Sequence, residues 1–525
     1  MIRPNCLIQV KQRRANIQWL MNPALRPMVA TMFHSMGKIV GGSLLAAALL
    51  TTAACRRDDA GESKVAVIGG QPALIENVDA PLTGSNAVMR STVAQGLVRF
   101  DSKGQIVPGL AERWNVSNDG LSYIFRLKTG TWPDGRKINT GDVARIIARQ
   151  VRVANGNPLA DTLGAVSDVV PMTDRVIEIS LIAPRPNLLQ LLAQPEMGIV
   201  RDDSGSGPFV LIKPSSTDEA ALLLEHHVPV IDDNDLIERV RLGATQAPAG
   251  IEAFKNGQLD LLLGGTFTDL PLAQKADLPR ASLRYDPAIG LFGLMPARKG
   301  KMTDDRNIRR LLSRSIDRGA IISQFQVAGL TPRATILQSG LDGIPTVTQP
   351  DWLNDQPSDQ QAQLAAEAKQ LFGGIVHSEI RLFIPPGPGG DILFARLKTD
   401  WAALGLITVR APNRVTADYA MVDDVAPSTS PAWFLRHFQC AVAPICLPEV
   451  DRILADARTS VNATERAVLL GAAATKMDDA QLFIPIAAPI RWSLVSRSAT
   501  GFIENPFARH TLVGLKDARA REDAQ

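Results

Sequence analysis

A chain of 525 residues, 45% apolar and 21% charged, is ordinary globular material with enough length for two or three domains. Its 56 Lys and Arg stand against 53 Asp and Glu for a formal charge of +3, with the cations scattered. No basic run interleaved with aromatics occurs past residue 54, which argues against a nucleic-acid partner.

The first element in chain order is an apolar run, Ile39–Ala54, of sixteen residues without a charge. It falls short of the roughly 18–20 residues that a membrane-spanning helix needs. Lys38 supplies a basic flank and Thr52-Ala53-Ala54 the small residues of a cleavage site, so the stretch reads as an export signal. Met32 or Met36 suits the start of such a signal better than Met1, because Lys11-Gln12-Arg13-Arg14 stands far upstream of the apolar run. Residues 1–54 are therefore set aside from the fold. Small residues followed at once by Cys55 resemble the bacterial lipobox, with Thr52 in place of its usual Leu. The resemblance implies lipidation of Cys55 and membrane attachment through that anchor only; a buried structural cysteine is the competing reading.

Further along, short strand patterns alternate with amphipathic helices, the signature of α/β architecture. In YIFRLK, Tyr123, Phe125 and Leu127 face one way and Arg126 and Lys128 the other, a half-buried strand that VIEISLI (176–182) repeats. GDVARIIARQV places Val143, Ile146, Ile147 and Val151 on one helical stripe, capped by Asn139 or Thr140. NIRRLLSRSIDR does the same with Ile308, Leu311, Leu312 and Ile316, its arginines on the other face. Residues 379–410 read as strand, Pro/Gly turn, helix striped by Leu393, Leu397, Trp401 and Leu404, and a second strand after Gly405. Such crossovers build parallel sheet. NATE (462–465) opens a further helix with a cap three residues before a glutamate. No repeat or low-complexity linker appears, so domain boundaries are expected at short crossings.

Cys440 and Cys446 sit together in CAVAPIC. An export route favours a disulfide between them, against a metal site or two reduced core thiols.

The segment 95–143, with PGLAE-W, DGLSYIFRLK and W-DG before a helix, resembles the family-5 extracellular solute-binding proteins, receptors of ABC importers. GSGPF (205–209), IEAFKNGQLDLLLGG, NIRRLLSRSIDRGAII and FIPIAAPIRWSLVSRSATGF follow in the family's order, and together these pieces cover nearly all of residues 65–515. The resemblance implies an α/β, two-lobed periplasmic-binding-protein-like fold of cluster C type with an inserted subdomain in lobe I. Lobe I would take residues 65–288, with the insertion at about 85–200; lobe II would take 289–484, and 485–518 would return to lobe I. The hinge is expected at 289–297 and 482–489. It further implies a monomer, outside the cytoplasm at a bacterial membrane, that captures a peptide or other small solute and delivers it to permease subunits, with no cofactor.

Ligands in such sheets bind between domains, beyond strand carboxyl ends. Three loops meet that description. The first is the turn holding Gly207, Pro208 and Phe209, whose backbone can come close to a ligand or merely turn the chain. The second is PPGPGGD, where Gly389 and Gly390 offer helix N-terminal amides to a carboxylate or form only a turn. The third runs over 417–438. The resemblance puts an amine-pairing aspartate there, for which Asp423 or Asp424 is nearest, although Ser428-Thr429-Ser430-Pro431 stands where acidic residues are usual. Trp433 and Phe434 would roof an apolar pocket or belong to the core. Only three tyrosines occur in the whole chain, which favours a smaller or less aromatic cargo.

A secreted hydrolase is the rival from another class, but H-E-x-x-H, G-x-S-x-G and a suitably placed S-x-x-K are all missing. His226 and His227 are adjacent on a strand-like run and face opposite ways, so they share no metal easily. His437 and His510 remain as ligands of a haem or nickel cargo or as surface residues. A non-transport periplasmic interaction or chaperone protein on the same fold is the third reading.

Overall fold

Runs of Val, Leu and Ile too short for helices form the sheets, and the amphipathic segments between them cover the faces. The computed structural model describes residues 61–152, 156–159, 162–212, 221–228, 236–355, 357–374 and 378–516. Cys55 and the apolar run before it lie outside the described residues.

The largest sheet has seven strands in the order Val210–Ile212, Leu222–Val228, Leu236–Thr245, Ser63–Ile68, Leu261–Thr266, Arg491–Val495, Leu283–Tyr285. Ser63–Ile68 lies parallel to both neighbours, and its Val65, Ala66 and Val67 are all buried, as a central strand covered on both faces requires. The helix Ala247–Lys255 makes the crossover between its two parallel neighbours.

A separate antiparallel sheet of four strands, Ala111–Val116, Ser122–Leu127, Val176–Leu181 and Val166–Thr173, is inserted after the first strand of the large sheet. Tyr123, Phe125 and Leu127 point inward and Ile124 outward, the alternation read from the sequence. The helix Thr140–Gln150, capped by the Asn139 side chain, lays Val143 and Ile147 on this sheet, and the resulting core draws on residues 97–199 alone.

The third sheet runs Ile407–Arg410, Glu379–Phe383, Tyr419–Val425, Gly290–Pro296, Ile484–Ala487. Glu379–Phe383 is parallel to both its neighbours, and the helix Pro388–Ala402 makes the βαβ crossover with Leu393, Leu397 and Trp401 fully buried. Asn462 caps the helix Ala463–Asp479 by accepting from the amides of Thr464 and Glu465.

The segment 306–318 departs from the single helix read from its stripe. It breaks into Arg306–Arg314 and Arg318–Phe325, because Asp317 turns its carboxylate onto the Ala320 amide as a cap for the second helix. Nor do its arginines all line the outer face. Arg309 and Arg318 are buried and donate to main-chain carbonyls, Arg309 to Gln481 (3.1 Å) and Thr303 (2.7 Å), Arg318 to Pro485 (2.8 Å) and Ser313 (2.8 Å). Burial pushes the Arg318 guanidinium down to about 9.

The chain passes between the large sheet and the third sheet twice, over residues 286–289 and 488–490. Most of the expected crossings 289–297 and 482–489 is therefore strand. The two passages run side by side, for the strands that flank them pair on both sides: Leu283–Tyr285 with Arg491–Val495, and Gly290–Pro296 with Ile484–Ala487. Next to them one apolar core joins both sheets, with Phe267 of the first set edge-on against Phe292 and Phe325 of the second at 5.1 and 6.2 Å between centroids.

Candidate functional site

The strand Tyr419–Val425 ends in a bend, Ala426–Ser430, that the next helix, Pro431–Arg436, cannot absorb because a proline opens it. The bend is thereby pushed against the inserted four-stranded unit. Side chains from residues 187–194 of that unit hold it. Asn187 Nδ2 donates to Ser428 Oγ at 3.0 Å, and Gln194 Nε2 to the Pro427 carbonyl at 2.6 Å. Gln190 Oε1 accepts from the amide of Thr429 at 3.0 Å. Two further contacts lie farther out, from Arg436 to the Thr162 hydroxyl and from Arg185 to the Arg458 carbonyl.

Behind these bonds lies a cavity of about 370 Å³ between the inserted unit and the helices that follow the bend. Trp433, Pro431, Leu454 and Leu470 give it apolar walls. Among the described residues its charged groups are Arg185, Arg436, Arg458 and Arg466 and the acid Asp342. The Thr429 hydroxyl donates to Asp342 Oδ1 at 2.7 Å. Burial, together with the nearby Arg466 and Arg458, pushes the Arg185 guanidinium down to about 10. Arg466 is lowered by burial too, with Asp342 opposing.

Trp433 lines this cavity, as do Ser430 and Pro431 of the Ser-Thr-Ser-Pro run noted in the sequence. Phe434, its neighbour on the helix, points the other way and is fully buried in the core, edge-on to Trp433 at 5.0 Å. The two aspartates do not act together, since successive strand residues face opposite sides. Asp423 is largely buried and ion-paired with Arg491 at 2.8 Å, and Arg491 also donates to the Asp423 carbonyl. Burial holds its carboxyl above the usual range, with Arg491 opposing. That pair ties the third sheet to the large one beside the crossings, so the Asp423 carboxylate read from the sequence as a partner for an amine already has a cationic partner, Arg491. Asp424 is exposed and stands near His437.

The two glycine loops serve packing rather than an open cleft. The Gly207 amide donates to the Val93 carbonyl at 2.8 Å, and a Cβ there would lie 2.5 Å from the Val93 carbonyl carbon. Phe209 is buried in the core of the large sheet against His226, and Pro208 borders a void of only about 30 Å³. Gly389 gives its amide to the Thr268 carbonyl at 2.8 Å, and a Cβ on it would sit 1.8 Å from the Phe267 oxygen. Gly390 is equally closed, 2.1 Å from the Pro385 oxygen by the same measure. The helix terminus expected to receive a ligand carboxylate is thus docked on the segment after Leu261–Thr266.

Cys440 and Cys446 are joined as a disulfide, with Cα atoms 5.1 Å apart, in the loop that leads to the helix Pro448–Thr459. Among the described residues no His, Cys, Asp and Glu cluster suits a metal. His510 meets Asp286 at 3.1 Å beside a crossing, His226 meets Glu238 at 3.1 Å, and His437 lies against the Trp433 carbonyl at 2.8 Å. Burial pushes the His437 imidazole down, with Asp424 opposing.

Sequence reasoning missed Asn187, Gln190, Gln194 and the four arginines. Arg185 and Arg466 meet only through the tertiary fold, and no local spacing joins them. The one signal available was Ser428-Thr429-Ser430, a departure from an acidic pattern, whose Ser428 and Thr429 bond Asn187 and Gln190 of the inserted unit.

A model of the bacterial extracellular solute-binding proteins, family 5 Middle, matches residues 105–409, more than half of the chain. The chain is 23% identical over 491 residues to the probable di/tripeptide-binding protein 5 of Pseudomonas aeruginosa, covering 82% of this chain and 90% of that one. It is 25% identical over 524 residues to heme-binding protein A of Haemophilus influenzae, covering 86% and 90%. The crystal structure of Haemophilus influenzae OppA in complex with the peptide RPPGFSPFR superposes with a TM-score of 0.72 at 16% identity, over 86% of this chain and 98% of that one.

Proposed function

The chain belongs to the bacterial extracellular solute-binding proteins of family 5, and from that premise we infer that it is the extracytoplasmic binding component of an ABC importer, closing two lobes on a small solute or short peptide for delivery to a permease. In this reading lobe I comprises the seven-stranded sheet with its inserted unit, about 65–288 and 485–518, and lobe II the third sheet and its helices, about 289–484. The observation that carries the reading is the paired passage between sheets at 286–289 and 488–490, set opposite a mouth that side-chain hydrogen bonds hold closed. Two adjacent strand connections permit rotation about one line, and the apolar core beside them keeps its contacts while the mouth opens. A ligand held by both lobes then favours the closed state by its differential affinity. Relatives named for di/tripeptide and heme binding support a cargo of that size range. Catalysis has no part in this reading: capture and release require closure, not a nucleophile. Cys55 would carry the lipid that keeps a monomeric receptor near its permease.

Native mass spectrometry of protein purified without unfolding tests the reading. A bound small molecule or peptide that leaves on collisional activation is the expected result. Turnover of ester, peptide or glycoside substrates by a ligand-free protein would overturn it.

A further inference from the structure

Resting on that receptor reading, we propose that the cavity behind the mouth recognises a carboxylate on an otherwise apolar ligand, with Arg466 and Arg185 as the groups that pair with it. Among the described residues, four guanidinium groups and one carboxylate line a space of about 370 Å³ whose remaining walls are mainly Trp, Pro, Leu and Ala. Arg185 donates to the carbonyls of Pro184, at 2.8 Å, and Arg458, and Arg466 to the Ser460 carbonyl at 3.5 Å. Among the described residues neither forms an ion pair, so their fork-shaped donors retain capacity for a planar anion. Asp342 opposes Arg466 but is itself engaged by Thr429.

The arrangement also links the anion to closure. Arg185 comes from the inserted unit, whereas Arg458 and Arg466 come from the helices Pro448–Thr459 and Ala463–Asp479 on the opposite wall. Closing without a ligand brings like charges together inside a partly desolvated space, and the lowered Arg185 pKa reflects that crowding along with burial. A carboxylate placed among them turns the repulsion into attraction that exists only when both walls are in place, while the apolar walls take the ligand's body. An ammonium-bearing ligand has the opposite fate here, for it would meet Arg185 and Arg466 with Asp342, among the described residues, as the acid to receive it.

Such a carboxylate has two sources, an apolar organic acid or the C-terminus of a short peptide, and four probes separate them: octanoate, N-acetyl-Phe-Ala, its C-terminal amide, and Phe-Ala amide, each titrated calorimetrically into ligand-free protein. The acids are expected to bind about tenfold or more tightly than the neutral amide and the cationic amide, and more weakly as salt rises. Arg466→Gln should remove most of that advantage of the acids over the amides, and Arg185→Gln gives the same reading should the first variant fold poorly. Preference for octanoate names the organic acid, preference for N-acetyl-Phe-Ala the peptide terminus. If the amides bind as well as the acids, the anion site is refuted and the receptor reading stands. If the acids bind but both arginine variants retain the full preference, these residues are refuted. No binding by any probe at millimolar concentration refutes the site.

Discussion

Asn187→Ala together with Gln194→Ala removes two of the bonds that hold the mouth shut while sparing the crossings. Asn187 makes no capping bond to its own helix, and Arg509, which also bonds Gln194 at 3.2 Å, keeps Glu196 at 3.7 Å. The partners left behind are buried: Ser428 is 0% exposed, and Pro427 is buried as well. Each lost bond costs the closed state about 1–3 kcal/mol, whereas in the open state water serves the same groups at little cost. Two bonds at the lower bound amount to about 2 kcal/mol, a shift of about 30-fold toward the open state. The amide of Thr429 reports it directly, because it donates to Gln190 only across the closed mouth. Hydrogen exchange at that amide should accelerate by about 30-fold or more in the double variant, while amides of the strand Gly290–Pro296 exchange as before. Unchanged exchange at Thr429, or equal acceleration in the strand, would refute the idea that the mouth opens independently of the lobes' cores.

Other expectations concern the helices and loops that support the cleft. Asp478, half-buried at the end of its helix and bonded by the Ile336 amide at 2.9 Å, has its carboxyl pushed up to about 7 by desolvation, above the unfolded value of about 3.9. Its contribution to stability is thus complete below about pH 4 and lost as the pH rises through 7. Asp478→Asn keeps the acceptor, so the fall in melting temperature between pH 4 and 7 should be smaller in the variant; parallel curves would show that Asp478 does not titrate as described. Gly389→Ala places a methyl 1.8 Å from the Phe267 oxygen and should lower the melting temperature, at a cost of about 1–3 kcal/mol or more, by forcing the helix Pro388–Ala402 off its seat. Gly471→Ala, in a helix with nothing within 4 Å of the new methyl, should be neutral or stabilising by about 0.5–1 kcal/mol. Equal effects at the two positions would contradict the packing account.

The elements were legible where local pattern and tertiary demand agree. The alternation of Tyr123, Phe125 and Leu127, the stripe on Thr140–Gln150 and the 379–410 crossover unit each bury the face that their period marks. Pattern failed at Asp317, where one carboxylate's choice of the Ala320 amide ends a helix inside an unbroken stripe. It failed again at Arg309 and Arg318, which sit inside because unsatisfied carbonyls at the ends of other elements need their donors. The cleft was less legible than the fold. Glycines near a helix start suggest space for a ligand, but Gly207 and Gly389 make room for a neighbouring main chain. Paired aspartates suggest a cation site, yet only tertiary structure brings Arg491 to Asp423. Arg185 lies far in sequence from Arg436, Arg458 and Arg466, and charge counting over the chain, at +3, conceals their concentration around one cavity.

Closure around a ligand is the claim on which the rest depends, and small-angle scattering measures it most directly. The protein would be compared as purified with its cargo and after the cargo has been stripped by unfolding, dialysis and refolding. The account expects a larger radius of gyration for the stripped protein, returning to the original value when the cargo is restored. Superimposable curves for a demonstrably loaded and a demonstrably empty sample would contradict it.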